Sequence, residues 1–243
     1  MAVTAYHGDS ALKEKFVAEM KWHREQDMIL QGAAGEGEGL EWKGCCIACG
    51  VHSMSRIEGK EYEAYNHKLW ETLIGVPMWM AHLCESIFEG LTEEESKEFP
   101  IQFAESVQCG TGLDSLRPAF SIFVLESIRE NARDDGKAAI DQVISLWRRI
   151  GSGEEVSEEE WSAARSAAES AERSAESAAW SAAESAERSA WSAAESAWSA
   201  AESAAWSAES AAWSAWSARP AAWSAAWSKF RDELLRLVSG GTK

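Results

Sequence analysis

The 243-residue sequence predicts an all-α protein: an N-terminal multi-helix globular domain over residues 1–153, then one very long Ser/Ala/Trp-rich helix over residues 154–238, with a kink near Pro220. Three observations predict it. From Ser162 to Ser217 the serines recur in fifteen steps over 55 residues. That mean of about 3.67 is an α-helical period with a slight right-handed drift. Two capping-box signatures, Thr92-Glu-Glu-Glu95 and Ser157-Glu-Glu-Glu160, mark helix starts. No segment alternates apolar and polar residues with the period of two that a half-buried strand requires.

Taken in order, Asp9 or Ser10 is placed to cap a first helix running to about residue 31, with Gly32 as its stop. Leu12, Phe16, Met20 and His23 line one face, and Asp27 follows His23 at the spacing where two side chains meet on a helix surface. The glycine-rich run 32–39 reads as a flexible loop, and it lacks the Lys-Ser/Thr ending of a phosphate-binding loop. Residues 62–73 and 78–89 read as two helices separated by Gly75-Val-Pro77, with Trp70, Leu73, Trp79, Leu83, Ile87 and Phe88 as core candidates. Thr92 opens a helix to about residue 108. Asp114 or Ser115 then caps a helix with Pro118 in its first turn, whose apolar run from Phe120 to Leu125 suits a core centre. A last domain helix over about 137–150 ends at Gly151-Ser-Gly153, the expected domain boundary.

Beyond that boundary the alphabet contracts. Each of the eighteen serines from Ser162 to Ser228 follows a Trp, Glu or Arg, and nine of the fourteen tryptophans lie in this stretch. Ala is the best helix former, and the only breaker is Pro220, which removes an amide donor and clashes one turn back. Each Trp has on the order of 150–250 Å² to bury. A row of them in water would form an apolar patch that monomers rarely expose. The C-terminal half of the tail is therefore expected to be covered, by its own domain or by another copy, while its N-terminal half can stay solvated, and the chain is expected to be a homo-oligomer.

Net charge is −17, which excludes the basic footprint that nucleic acids and anionic membrane surfaces need. No apolar run approaches the ~18 residues of a membrane span. The opening residues lack a basic region followed by an apolar run, so no secretory signal is expected and the five cysteines read as reduced thiols in a cytoplasm.

The most chemically loaded segment is Trp42 to Ser53. Cys46-x2-Cys49 has metal-pair spacing, while Cys45, Cys49 and His52 fall at i, i+4 and i+7, one face of a helix. Thiolate with imidazole suits zinc, with His7 or His23 as the remaining ligand. Buried cysteines packing as small hydrophobes are the competing reading. Tyr6, His7, His23, Arg24, Asp27, Lys43 and His52 are candidate ligand-binding residues: Arg and Lys neutralise an anion, and His adds hydrogen bonds or a switchable charge.

The ensemble Tyr6-His-Gly-Asp9, His23 with Asp27, Lys43-Gly-Cys45, Cys49, His52, Gly75-Val-Pro77 and Ile87-Phe-Glu-Gly-Leu91, ahead of an Ala-rich tail, resembles a family of uncharacterised alanine-rich proteins of phages and bacterial mobile elements. The tail alone is similar to Imm-5-like immunity proteins. The chain departs from the family at Ala48, often Gly there, and in the turn from Gly110 to Ser115. The resemblance implies no activity. It implies a setting, conflict between phage and host in the bacterial cytoplasm. Three functions follow as expectations. The first is a non-enzymatic anti-defence protein that sequesters a small anionic ligand such as a nucleotide immune signal. The second is an inhibitor or immunity protein docking a host defence protein through the Trp-rich helix. The third is a metal- or thiol-dependent enzyme using Cys45, Cys49 and His52. No hydrolase signature is present.

Overall fold

A computed structural model of the chain describes residues 3–130, 132, 134–164, 166 and 220–240. The described chain is all-α in class, with one small β-ladder. Of the long helix expected over 154–238, residues 165 and 167–219 lie outside the described residues, and with them the approach to Pro220 where the kink is expected. Contacts divide the chain into two compact units, Met1–Asp114 with Trp227–Lys243, and Ser115–Ala226.

In the first unit, helices α1 (Ser10–Glu25), α2 (Cys46–Glu58), α3 (His67–Ile74), α4 (Met78–Gly90) and α5 (Glu93–Ser106) share a core. Helix α1 packs on α2 and α5, and α3 on α4. Asp9 caps α1, its carboxylate accepting from the amides of Ala11 at 2.8 Å and Leu12 at 3.2 Å. The helix ends at Glu25, about six residues before the expected last helical residue at 31. Asp27 enters the left-handed region at φ 52°, which diverts the chain. Met28 and Leu30 then pair with Gly44 through Gly44 N to Met28 O at 2.9 Å and Leu30 N to Gly44 O at 3.0 Å, while Met28 and Ile29 bury completely.

The expectation of no strand is corrected here. Strand β1 (Ala34–Glu36) pairs antiparallel with β2 (Lys43–Gly44). Such short, glycine-bearing strands carry no alternation to read. The run 32–39 is a shaped turn instead of a loose one: Gly35 and Gly37 sit at φ 96° and 93°, and a Cβ on Gly35 would stand 2.7 Å from that of Ala64. Helix α3 also starts later than expected. Asn66 caps it, accepting from the Lys68 amide at 3.1 Å, and Tyr62 stays outside. The Thr92–Glu95 capping box of α5 forms as read.

In the second unit α6 (Arg117–Arg129) packs on α7 (Asp134–Gly151). Neither Asp114 nor Ser115 caps α6. A 3-10 turn, Leu113–Leu116, leads directly into the helix, and within the first unit Asp114 accepts from Trp79 Nε1 at 2.8 Å. Gly151–Gly153 is a turn inside this unit, not its edge. Beyond it the Ser157–Glu160 capping box forms, with Ser157 N donating to Glu160 Oε2 at 2.8 Å. Trp161 then comes back against Trp147, ring centroids 5.7 Å apart, in a core shared with Val143 and Ile144.

Helix α8 (Pro220–Val238) starts on its proline, and from Trp227 onward it belongs to the first unit. Trp227, Phe230, Leu234 and Val238 are buried along one stripe, and the Trp227 indole lies flush on Gly90, where a side chain would collide with it. Trp161 and Trp227, the tail tryptophans whose burial is described, are thus 4% and 2% exposed, covered by their own chain. Among the described residues no helix is long and apolar enough to cross a membrane.

Candidate functional site

The last turn of α1 carries His23 and the second turn of α2 carries His52. The α1–α2 packing brings His23 Nε2 to 2.8 Å from His52 Nδ1. His23 is fully buried, and its Nδ1 lies 2.8 Å from the Glu19 carbonyl oxygen. A carbonyl only accepts, so Nδ1 of His23 holds the proton and donates it. In the neutral ring Nε2 must then accept, and His52 Nδ1–H is its donor. Nε2 of His52 is left as a lone pair. Burial pushes His23 down to about 4, against the opposing pull of its bond to Glu19, so the ring is neutral near pH 7. His52 is lowered too, by burial first and then by the Arg56 charge.

His52 lines an open cleft of about 440 Å³ together with Trp42, Ser55, Arg56, Lys60 and Tyr62. Trp42 and His52 pack with ring centroids 4.4 Å apart and planes 31° from parallel. Arg56, one helical turn beyond His52, spreads its guanidinium 3.8 Å from the Trp22 ring and donates from Nε to Glu19 Oε2 at 2.5 Å. Its terminal nitrogens make no hydrogen bond to any described residue. Gly59, in the left-handed region at φ 65°, ends α2 and turns the chain so that Lys60 and Tyr62 form the far wall. Both bond to Glu58, Lys60 Nζ at 2.9 Å and Tyr62 Oη at 2.8 Å.

Of the residues expected to bind a ligand, only His52 lines this cleft, with the buried His23 bonded behind it. Tyr6 is buried elsewhere with its hydroxyl donating to the Ala104 carbonyl at 2.8 Å, and burial raises its pKa. His7 Nε2 donates to the Thr72 carbonyl at 3.1 Å. Arg24 pairs with Glu98 at 2.6 Å. Asp27, expected beside His23, instead meets Lys97 at 3.3 Å and Lys43 at 3.6 Å, because the chain has left the helix there. Lys43 also donates to the Asp27 carbonyl. Arg24, Asp27 and Lys43 thus belong to an ion-pair surface against α5.

The expected zinc set Cys45, Cys49 and His52 does not assemble. Its spacing supposed one continuous helix, but Cys45 is extended, at ψ 179°, and only precedes α2. The buried Cys49 thiol donates to the Gly44 carbonyl at 3.2 Å, and burial raises its pKa, away from the thiolate a metal needs. The cleft's own residues Trp42, Arg56, Lys60 and Tyr62 were missed as site candidates. The one available signal was Arg56 at i+4 from His52, which a helix over 46–58 places on the same face.

No family model, no curated protein and no solved structure matches the chain.

Proposed function

We propose that the chain is a non-enzymatic binder of a small anionic ligand bearing a planar ring, of nucleotide type, held in the cleft of Trp42, His52, Arg56, Lys60 and Tyr62. One observation carries this reading. A single concave surface sets aromatic rings, an imidazole acceptor and two cations side by side, with the Glu61 carboxylate on the same lining. The Trp42–His52 wall, with Tyr62 across the cleft, suits a heterocycle, since base–aromatic packing contributes roughly 1–3 kcal/mol per base. The lone pair on His52 Nε2 accepts a ring or exocyclic N–H. Arg56, braced on Trp22 and Glu19, offers its terminal nitrogens to a phosphate as a preorganised fork. Lys60 adds a second, adjustable charge.

The resemblance to phage and mobile-element proteins supports an anti-defence setting in the bacterial cytoplasm, with sequestration of a nucleotide signal as the role. The Trp-rich tail, beyond the described residues, supports assembly of copies into a homo-oligomer. Docking of a host defence protein through that tail is the alternative role, and Trp161 and Trp227, already buried in their own chain, would serve neither surface.

Calorimetric titration with adenosine 5′-monophosphate and with a cyclic diadenylate tests the reading. Binding to at least one is expected, with affinity falling tenfold or more in Trp42→Ala and Arg56→Ala. Absence of binding to both, or equal binding by the variants, overturns it. A second reading draws on the oriented lone pair of His52, which has the geometry of a general base held by a buried partner. Recovery of the nucleotide unchanged after prolonged incubation excludes it; a chemically altered nucleotide, absent with His52→Ala, favours it.

A further inference from the structure

We propose that His67, His82 and Glu85 form a binding site for a divalent metal ion of the zinc class. The site lies outside the cleft and does not rest on the nucleotide reading.

Local structure sets the three donors. Asn66 fixes the start of α3, so His67 is its first residue. Helix α4 packs on α3 and presents His82 and Glu85 at i and i+3, one face of one turn. One donor atom from each residue comes within 4.8 Å of the other two. A tetrahedral zinc with bonds of about 2.0–2.1 Å holds its ligand atoms about 3.4 Å apart. The remaining closure, about 1.4 Å at most, is within reach of rotations about the side-chain torsions.

The chemistry of the set points the same way. His67 Nε2 lies 2.8 Å from Glu85 Oε2, and that bond alone accounts for two of the groups. A second imidazole lies flat against the first, with His67 and His82 centroids 3.7 Å apart and planes 4° from parallel. The Glu85 carboxylate stands within 4.8 Å of a donor nitrogen of each ring. Two imidazoles and one carboxylate are the donor set of zinc sites that keep a fourth position open. The other Glu85 oxygen is engaged: Tyr65 Oη donates to Oε1. Ligating carboxylates are characteristically held this way by an outer partner. The His67 and Glu85 side chains are 11% and 19% exposed, sheltered yet reachable, with the half-exposed Tyr65 at the rim.

The test uses the full chain, stripped with a chelator and dialysed, then titrated with zinc chloride by calorimetry and with cobalt chloride by visible absorption. One ion per chain is expected. His82→Ala and Glu85→Gln should each weaken it by more than the ~10–100-fold that loss of an outer partner costs, and Tyr65→Phe by about tenfold. His52→Ala should leave it unchanged. Should the ligand variants unfold, the wild-type ring resonances decide: zinc must shift those of His67 and His82 while those of His23 and His52 stay. Absence of stoichiometric binding overturns the proposal. So does binding that survives both ligand substitutions, or shifts confined to His23 and His52.

Discussion

The first unit contains two histidine pairs built on opposite principles. His23 and His52 meet edge-on, ring planes 77° apart, with one proton in line between two nitrogens. His67 and His82 lie face to face, and Glu85 bonds to the first of them. The first arrangement consumes three ring nitrogens and leaves one lone pair, aimed by a fully buried partner. The second sets two parallel rings beside a carboxylate. The same side chain thus becomes an oriented acceptor in one place and a component of a candidate ion site in the other. What decides is how the parent helices meet: α1 against α2 sets rings end to end, while α3 against α4 sets them flat.

The comparison implies different structural costs, and the largest effect is expected at His23. Its ring is fully buried and bonded at both nitrogens, so His23→Ala should cost about 3 kcal/mol, of the order of a large-to-small core change plus lost hydrogen bonds. His82→Ala, at a half-buried ring, should cost about 1 kcal/mol. Urea denaturation measures both, and equal losses would break the distinction.

Next comes metal. At a hundred times its dissociation constant, zinc should stabilise the wild type and His52→Ala by about 2.7 kcal/mol. It should leave His82→Ala where it was. Thermal melts with and without zinc make the measurement.

Third is pH. His23 is held at about 4 in the fold, below its ordinary 6.5, so on acidification the unfolded chain takes up the proton first. The stabilisation is complete above 6.5 and is lost as pH falls from there toward 4. It should amount to about 2 kcal/mol less stability at pH 5 than at pH 7, at 1.36 kcal/mol per unit. His23→Gln should flatten the profile by that amount, and an unchanged slope would place the protonation elsewhere.

The two pairs were unequally legible. His23 on the apolar stripe with Phe16 and Met20 marked it as inward-facing, and its burial follows from that spacing. Its partner did not follow. Asp27 at i+4 was the local choice, but one residue at positive φ removed it, and His52, twenty-nine residues on, took the place. Cysteine spacing drew attention to Cys45 and Cys49, where an extended residue ahead of α2 breaks the face. The His82–Glu85 spacing was readable on α4, yet it gains meaning only once Asn66 fixes the first residue of α3 opposite it. The helices themselves were mostly legible, because capping residues such as Asp9 and Thr92 act locally. The β1–β2 ladder was not, because strands this short owe their form to buried Met28 and Ile29 nearby instead of to their own pattern.

The smallest expected effect is the most discriminating for the cleft. Arg56→Lys keeps the positive charge but replaces a planar fork with a point charge. It loses the face-on contact with Trp22 and the Nε bond to Glu19. At an exposed position a cation–π contact contributes about 0.5–1 kcal/mol, so stability should fall by no more than that. Nucleotide affinity should fall further, roughly tenfold or 1.4 kcal/mol, because a bidentate contact to phosphate needs two donors at fixed spacing. Zinc affinity should not move, since nothing at His67, His82 or Glu85 contacts Arg56. A variant that binds nucleotide as tightly as the wild type would reduce Arg56 to a structural brace for Trp22, and leave His52 facing the cleft without an anion to serve.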